Sequence, residues 1–231
     1  MQLKVVSFNI QGHAASRRPD HIPKIAETIV ALAPDVIGLQ EVHSHTAASP
    51  KVDQAEAIAR LTGLNLQFGR SCAMEGGDYG NAVLTRGTIV GSHVHPLPGA
   101  GEPRSLLETH IEIDGGRFAF FVTHLAAWGR LLRKARLSQI AALGDITARG
   151  ADPHILVGDF NVPPAAEEMR VLTSHGHLRP VGDPREPTFP MMRQRLDYVF
   201  CDPRWEYVSG EVVKRGPSDH WPLVAHLVLR S

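Results

Sequence analysis

The sequence predicts an α/β protein built from two packed β-sheets flanked by helices. Three observations carry this. Strand-like and helix-like segments are interleaved along all 231 residues. Strand segments outnumber helical ones. Several neighbouring strands are joined by hairpin-like turns, which suits two sheets packed face to face better than one parallel sheet. No low-complexity linker, charge block or internal repeat interrupts the pattern, so residues 1–231 read as one domain.

The elements follow in order. Leu3, Val5 and Phe8 lie in an opening strand that stops at Asn9. Ile22, Ile25, Ile29 and Leu32 share one helical face, with Asp20 as N-cap, Pro23 in the first turn and Pro34 as the stop. "DVIGLQE" is a short buried strand ending at Gln40-Glu41. A second helix fits Val52 to Leu61, closed by Gly63. "YGNAVLT" and "TIVGSHVH" are strands. "SLLETHIEI" alternates and turns through Asp114-Gly115-Gly116 into "RFAFFVTHL". A basic helix is expected from Leu131 to Leu143. The apolar run Ile155-Leu156-Val157 is a core strand, followed by a helix near Ala165 to Ser174. "RLDYVF" and "PLVAHLVL" are the closing strands.

Composition narrows the function classes. Twenty-four basic residues balance twenty-four acidic ones, so net charge gives no support for coating nucleic acid. The two cysteines, Cys72 and Cys201, form no disulfide framework and no zinc motif. The N-terminus enters a strand directly, without the long apolar core of a signal peptide, and no run is long enough to span a membrane. A cytoplasmic monomer is the expectation.

Six strand segments carry polar residues at or near an end: Asn9, Glu41, His124, Asp159 with Asn161, Asp197, and Asp219 with His220. Singly, each has an ordinary use as a turn cap, a solvated acid or a satisfied core histidine. Together they imply a shared site, because carboxylates beside core strands are costly unless paired or bound to metal. Carboxylate and amide oxygens suit a hard cation such as Mg²⁺. Histidines next to acids suit proton transfer and oxyanion stabilisation.

The segments "SFNIQG", "IGLQEV", "YGNAVLTR", "FVTHL", "GDFNVPP", "RLDYVF" and "SDHWPL" resemble, in this order, the endonuclease/exonuclease/phosphatase superfamily with its DNase I-like fold. The resemblance runs from residue 7 to residue 222. It implies a four-layered α/β/β/α sandwich of two mainly antiparallel sheets, with the site at one end of both. It implies Glu41 as principal ligand of Mg²⁺ or Mn²⁺, with Asn9 and Asp219 nearby. His220 would be the general base, oriented by Asp197. Asp159 and Asn161 would position nucleophile and phosphate, and His124 would donate to a phosphate oxygen. The abasic-site endonuclease branch usually lacks the "THL" histidine, so His124 points away from it. In the DNase I branch that histidine has an acid partner, for which Glu75 and Asp78 qualify here by position only. Arg104 and Asn81 are candidate substrate-binding residues.

The expected activity is metal-dependent hydrolysis of a phosphate ester by water. The partner is a phosphate-ester substrate, whether nucleic acid, phospholipid or small molecule. A nuclease and a phosphomonoesterase are the alternatives, and a non-catalytic protein of the same fold fits least, because Glu41, Asp159 and His220 are all retained. Arg130, Arg133, Lys134 and Arg136, extended by Arg193 and Arg195, read either as solvated basic residues or as a phosphate-attracting rim. Trp128 and Trp221 flank the histidine motifs and could stack on a substrate or pack in the core.

Overall fold

The computed structural model describes residues 1–49, 52–127, 129–174 and 176–230. Two six-stranded sheets form the centre. The first contains β1 (Gln2–Asn9), β2 (Val36–Ser44), β3 (Asn65–Met74), β4 (Gly77–Thr85), β11 (Trp205–Val212) and β12 (Leu223–Leu229), in the order β11-β12-β1-β2-β4-β3. The second contains β5 (Thr88–Leu97), β6 (Arg104–Ile113), β7 (Gly116–His124), β8 (His154–Asp159), β9 (Arg179–Pro180) and β10 (Asp197–Cys201), in the order β5-β6-β7-β8-β10-β9. Helices α1 (His21–Leu32) and α2 (Gln54–Thr62) cover the first sheet; α3 (Arg133–Thr147) and α4 (Glu167–Ser174) cover the second. This is the four-layered sandwich expected.

The layering is written residue by residue. Val5 faces the second sheet, while its neighbour Val6 packs with Ile22, Ile25 and Ile29 of α1. Val122 and Val157 point between the sheets; Phe121 and Leu156 pack under Ile140 and Leu143 of α3. Central strands buried on both faces read as continuous apolar runs, which makes them legible in the sequence.

One pair in each sheet is parallel: β1 beside β2, and β7 beside β8. Each pair is joined through a covering helix, α1 or α3. The carboxyl ends of both parallel pairs therefore emerge at the same end of the sandwich, carrying Asn9 and Glu41 from one sheet and His124 and Asp159 from the other.

Local differences from the sequence reading have physical causes. Asp20 makes no capping bond; its carboxylate pairs with Lys24 at 2.5 Å. The cap appears instead at α2, where Asp53 accepts from the Glu56 amide and Gly63 closes the helix in the left-handed region. Asp114 and Gly115 both take positive φ, the two-residue turn that matches strand twist. β3 and β11 were not anticipated: both are half-exposed and rich in polar residues, so their apolar alternation is faint. No helix among the described residues is long and apolar enough to cross a membrane.

Candidate active site

Asn9 is the hub from which the site is built. It is buried at the end of β1, and its amide nitrogen donates to Glu41 Oε1 and to Asp159 Oδ2, both at 3.1 Å. Its side-chain oxygen accepts from the Gln11 amide, and its carbonyl accepts from the Ser218 hydroxyl at 2.7 Å. One asparagine thus ties together four motif segments.

Glu41 reaches the cleft through a distortion of β2. The pairing of β2 with β4 shifts register between Leu39 and Val42, and Glu41 sits in the left-handed region at φ 59°. A bulge of this kind re-aims a side chain that regular pleating would point elsewhere. The distortion is packed from behind by Gly12, where a Cβ atom would lie 2.1 Å from the Glu41 carbonyl oxygen. The carboxylate itself is 23% exposed, with His13 Nδ1 3.5 Å from Oε2. Burial pushes its proton affinity up. The His13 hydrogen bond, the field of His124 and the Asn9 bond outweigh this, holding the pKa at about 2.

Strand register assembles the centre. His124 on β7 and Asp197 on β10 are the two cross-strand neighbours of Asp159 on β8. Asp159 Oδ2 lies 3.6 Å from His124 Nε2 and 3.7 Å from His220 Nε2. Its Oδ1 accepts from the Asn161 amide, fixing a tight turn in which Asn161 takes φ 55°. The Asn161 side-chain Nδ2 then lies 3.0 Å from His124 Nε2. Burial, reinforced by the Asp197 charge, raises the proton affinity of Asp159.

The two histidines have different surroundings. His220 Nδ1 is 2.8 Å from Asp197 Oδ2, and the Phe189 ring packs on it at 4.8 Å. Burial opposes a proton on His220, but Asp197 and Asp159 together raise its pKa to about 10. His124 has no carboxylate at Nδ1; the Tyr79 hydroxyl is there, at 3.3 Å. Burial, with Arg104 adding a like charge, lowers the His124 pKa well below the ordinary value. The acids expected as its partner are engaged elsewhere, Asp78 with Arg70 at 2.5 Å and Glu75 with the Ala48 amide.

Asp219 also lines the cleft and accepts from Gln11 Nε2 at 2.9 Å. Burial and the nearby Glu41 charge raise its proton affinity. Arg104 also lines the cleft; one Nη donates to Glu102, while Nε and the other Nη are buried with no hydrogen-bond partner. Asn81 is placed differently from the sequence expectation. It is buried, donates to the Ser105 carbonyl and is not among the residues that line the cleft, so it braces the start of β6 from below.

The cleft has a volume of 420 Å³. A larger hollow of 590 Å³ lies between α1 and residues 213–217, but the convergent carboxylates and histidines are not there. The basic rim is not assembled either. Arg136 is buried against the carbonyls of Ala127 and Gly129, Arg195 against those of Asp183 and Val181, and Arg133 pairs with Glu167. None of these, nor Arg130, Lys134 or Arg193, lines the cleft. Trp221 packs against the inter-sheet core, and Trp128 lies outside the described residues.

Sequence reasoning missed Gln11, His13, Phe189 and the bond from Tyr79 to His124. The first two carried a readable signal, polar residues alternating with Ile10 and Gly12 directly after a motif strand. Phe189 carried none, because its position depends on a loop folding back over His220.

Among the described residues, Asp159, Asp197 and His220 form the cluster whose ligand atoms already lie within 4.8 Å of one another. All three are buried and held in place, with Asp197 Oδ2 committed to His220 Nδ1 at 2.8 Å, so they have little freedom to turn toward an ion. Glu41 and Asp219 offer a cation a different pair, two carboxylates that line the cleft and repel one another, one of them held ionised and partly exposed.

A family model described as "Endonuclease/Exonuclease/phosphatase family" matches residues 6–220. The uncharacterized protein YbhP of Escherichia coli K12 is 28% identical over 172 residues, covering 68% of this chain and 66% of YbhP. A putative neutral sphingomyelinase of Caenorhabditis elegans is 27% identical over 201 residues, covering 77% of this chain and 45% of the nematode protein. The chain therefore spans just under two thirds of the first relative and under half of the second. The crystal structure of an endonuclease/exonuclease/phosphatase from Beutenbergia cavernae superposes with a TM-score of 0.81 at 29% identity, covering 100% of this chain and 72% of that one.

Proposed function

The chain belongs to the endonuclease/exonuclease/phosphatase family, whose members hydrolyse phosphoric esters, and from that premise we propose that it is a phosphodiesterase dependent on a divalent cation, Mg²⁺ or Mn²⁺. The observation that carries this reading is the position of Asp159 Oδ2. It is shared by Asn9, His124 and His220, and Asn9 also holds Glu41. Metal ligand, general base and phosphate donor are thereby referred to one atom.

Glu41 would hold the cation, with Asp219 and Asn9 beside it. A bound cation supplies charge relief to a phosphate oxygen and to the leaving oxygen. The chain's own groups do the rest. His220, with Nδ1 fixed on Asp197, turns Nε2 toward Asp159 and takes a proton from the attacking water there. In the metal-free protein His220 holds its proton to about pH 10, so it acts as base only after releasing that proton; a cation on Glu41 and Asp219 would favour the release by offsetting Asp219, the smallest of the three acids that raise it. His124 is uncharged at neutral pH; with Nδ1 accepting from the Tyr79 hydroxyl its one proton sits on Nε2, which donates to a non-bridging oxygen in place of the Asn161 contact. Arg104 offers its unpartnered guanidinium nitrogens to the same phosphate.

Charge favours a diester over a monoester. Arg104 is the one permanent cation among the described residues lining the cleft, against Glu41, Glu75, Glu102, Asp159 and Asp219. A protonated His220 and a bound divalent cation would offset part of that negative charge, and a singly charged diester needs less of this offset than a doubly charged monoester. The test sets bis-p-nitrophenyl phosphate, p-nitrophenyl phosphate, plasmid DNA, sphingomyelin and phosphoinositides against the protein with Mg²⁺, Mn²⁺ or EDTA. Diester turnover that EDTA abolishes and either metal restores is expected. Turnover of the monoester alone, or activity that survives EDTA, sinks the proposal.

A further inference from the structure

On the outer face of the second sheet, away from the cleft, His93 and His95 of edge strand β5 stand beside Glu108 and His110 of β6. Strand register requires this: His93 pairs with Glu108, and Gly91 with His110. Leu97 and Leu106, on the same face, pack under α3 and α4. Glu108 joins two of the imidazoles. His95 Nε2 is 2.6 Å from Glu108 Oε2, His110 Nε2 is 3.0 Å from Glu108 Oε1, and the His93 and His95 rings are 4.4 Å apart.

We propose that His95, Glu108 and His110, with His93 in reach as a fourth ligand, form a second cation site selective for a borderline metal of the zinc class. Two imidazoles and a carboxylate suit Zn²⁺, Co²⁺ or Ni²⁺ and disfavour Mg²⁺, which takes oxygen ligands. The outer shell is in place. His110 turns Nε2 to Glu108 and Nδ1 to Asp152 Oδ2 at 3.2 Å, and Asp152 is held in turn by Arg117 Nε at 3.1 Å. A carboxylate on the far nitrogen is the arrangement that orients a metal-binding histidine. The two imidazoles now rest on different oxygens of Glu108, so binding draws them to one point by rotation of half-exposed side chains. An ion there clamps edge strand β5 to β6. It also stiffens the hairpin whose connection, residues 98–103, leads into Arg104 at the cleft.

Tag-free protein titrated with Co²⁺ in excess Mg²⁺ tests this, because Mg²⁺ fills oxygen sites and leaves histidine sites open. One equivalent of Co²⁺ with an intense visible absorption band is expected in the wild type and in Glu41→Gln. The band is lost in His95→Gln/His110→Gln, and Zn²⁺ raises the melting temperature of the wild type but not of that double variant. Circular dichroism verifies that the variants are folded, and the single His95→Gln change serves if the double does not fold. Absence of the band in the wild type, its survival in the histidine variants, or its loss in Glu41→Gln overturns the proposal.

Discussion

The Tyr79 hydroxyl lies 3.3 Å from His124 Nδ1, in the place where a carboxylate was expected. The substitution of a phenol for an acid changes what His124 can do. A carboxylate stabilises an imidazolium; a neutral hydroxyl fixes the ring without favouring a charge on it. Burial raises the Tyr79 pKa well above its usual value, so the phenol keeps its proton. Tyr79→Phe removes the bond and keeps the ring. A neutral hydrogen bond contributes about 0.5–1.5 kcal/mol, so kcat should fall about 2- to 10-fold. KM and the melting temperature should hardly move. A change in KM alone would show that the hydroxyl serves substrate binding, not the orientation of His124.

Glu41→Gln keeps the size of the side chain and removes its charge. The Mg²⁺ or Mn²⁺ concentration for half-maximal activity should rise by roughly tenfold or more, with loss of kcat. Metal titration of activity, beside calorimetric binding, checks both. Unchanged metal dependence would remove Glu41 from the ligand set.

The division of labour between the histidines is read from pH profiles. Losing a general base costs about 100- to 10,000-fold, and losing an oxyanion donor about 100- to 1,000-fold, so size does not separate them. His220→Ala should abolish the acidic limb of kcat/KM. His124→Ala should lower the rate and leave that limb in place. The assignment is reversed if the limb disappears with His124 and persists without His220.

Without divalent cation, stability should fall as pH rises. His220 is raised from 6.5 to about 10, so its contribution is complete below about pH 6.5 and is lost as pH climbs through 10. Asp159 is also raised by burial and acts in the same direction at lower pH. The loss should be on the order of a few kcal/mol. Urea midpoints in EDTA between pH 6 and 10 measure it, and His220→Gln should flatten the curve. A flat wild-type curve would mean that the His220–Asp197 pair gains nothing from the proton.

Gly12→Ala tests the support behind Glu41. The added Cβ meets the Glu41 carbonyl at 2.1 Å and Gln54 Oε1 at 2.4 Å. Overpacking of this kind costs about 1–3 kcal/mol. Activity should fall further than stability predicts, because the bulge that aims Glu41 must shift. A variant with lowered melting temperature but full activity at low temperature would separate the two.

The sequence by itself determined the core strands, the helices that cover them and the polar residues at the strand ends. These are local properties: an apolar run, a helical period, a carboxylate where a strand stops. It also held the order of motifs that identifies the family. It could not determine which side chains meet. Tyr79 and His124 are forty-five positions apart, and their contact depends on how β4 of one sheet faces β7 of the other. Arg136 and Arg195 read either as solvated charge or as part of a cleft rim, yet both guanidiniums turn inward to cap backbone carbonyls, because a buried loop carbonyl without a donor costs more than confining an arginine. Glu41 enters the cleft only through a bulge that neighbouring strands impose. Strand register and side-chain partnership are set by residues distant in the chain, so the tertiary structure alone decided them.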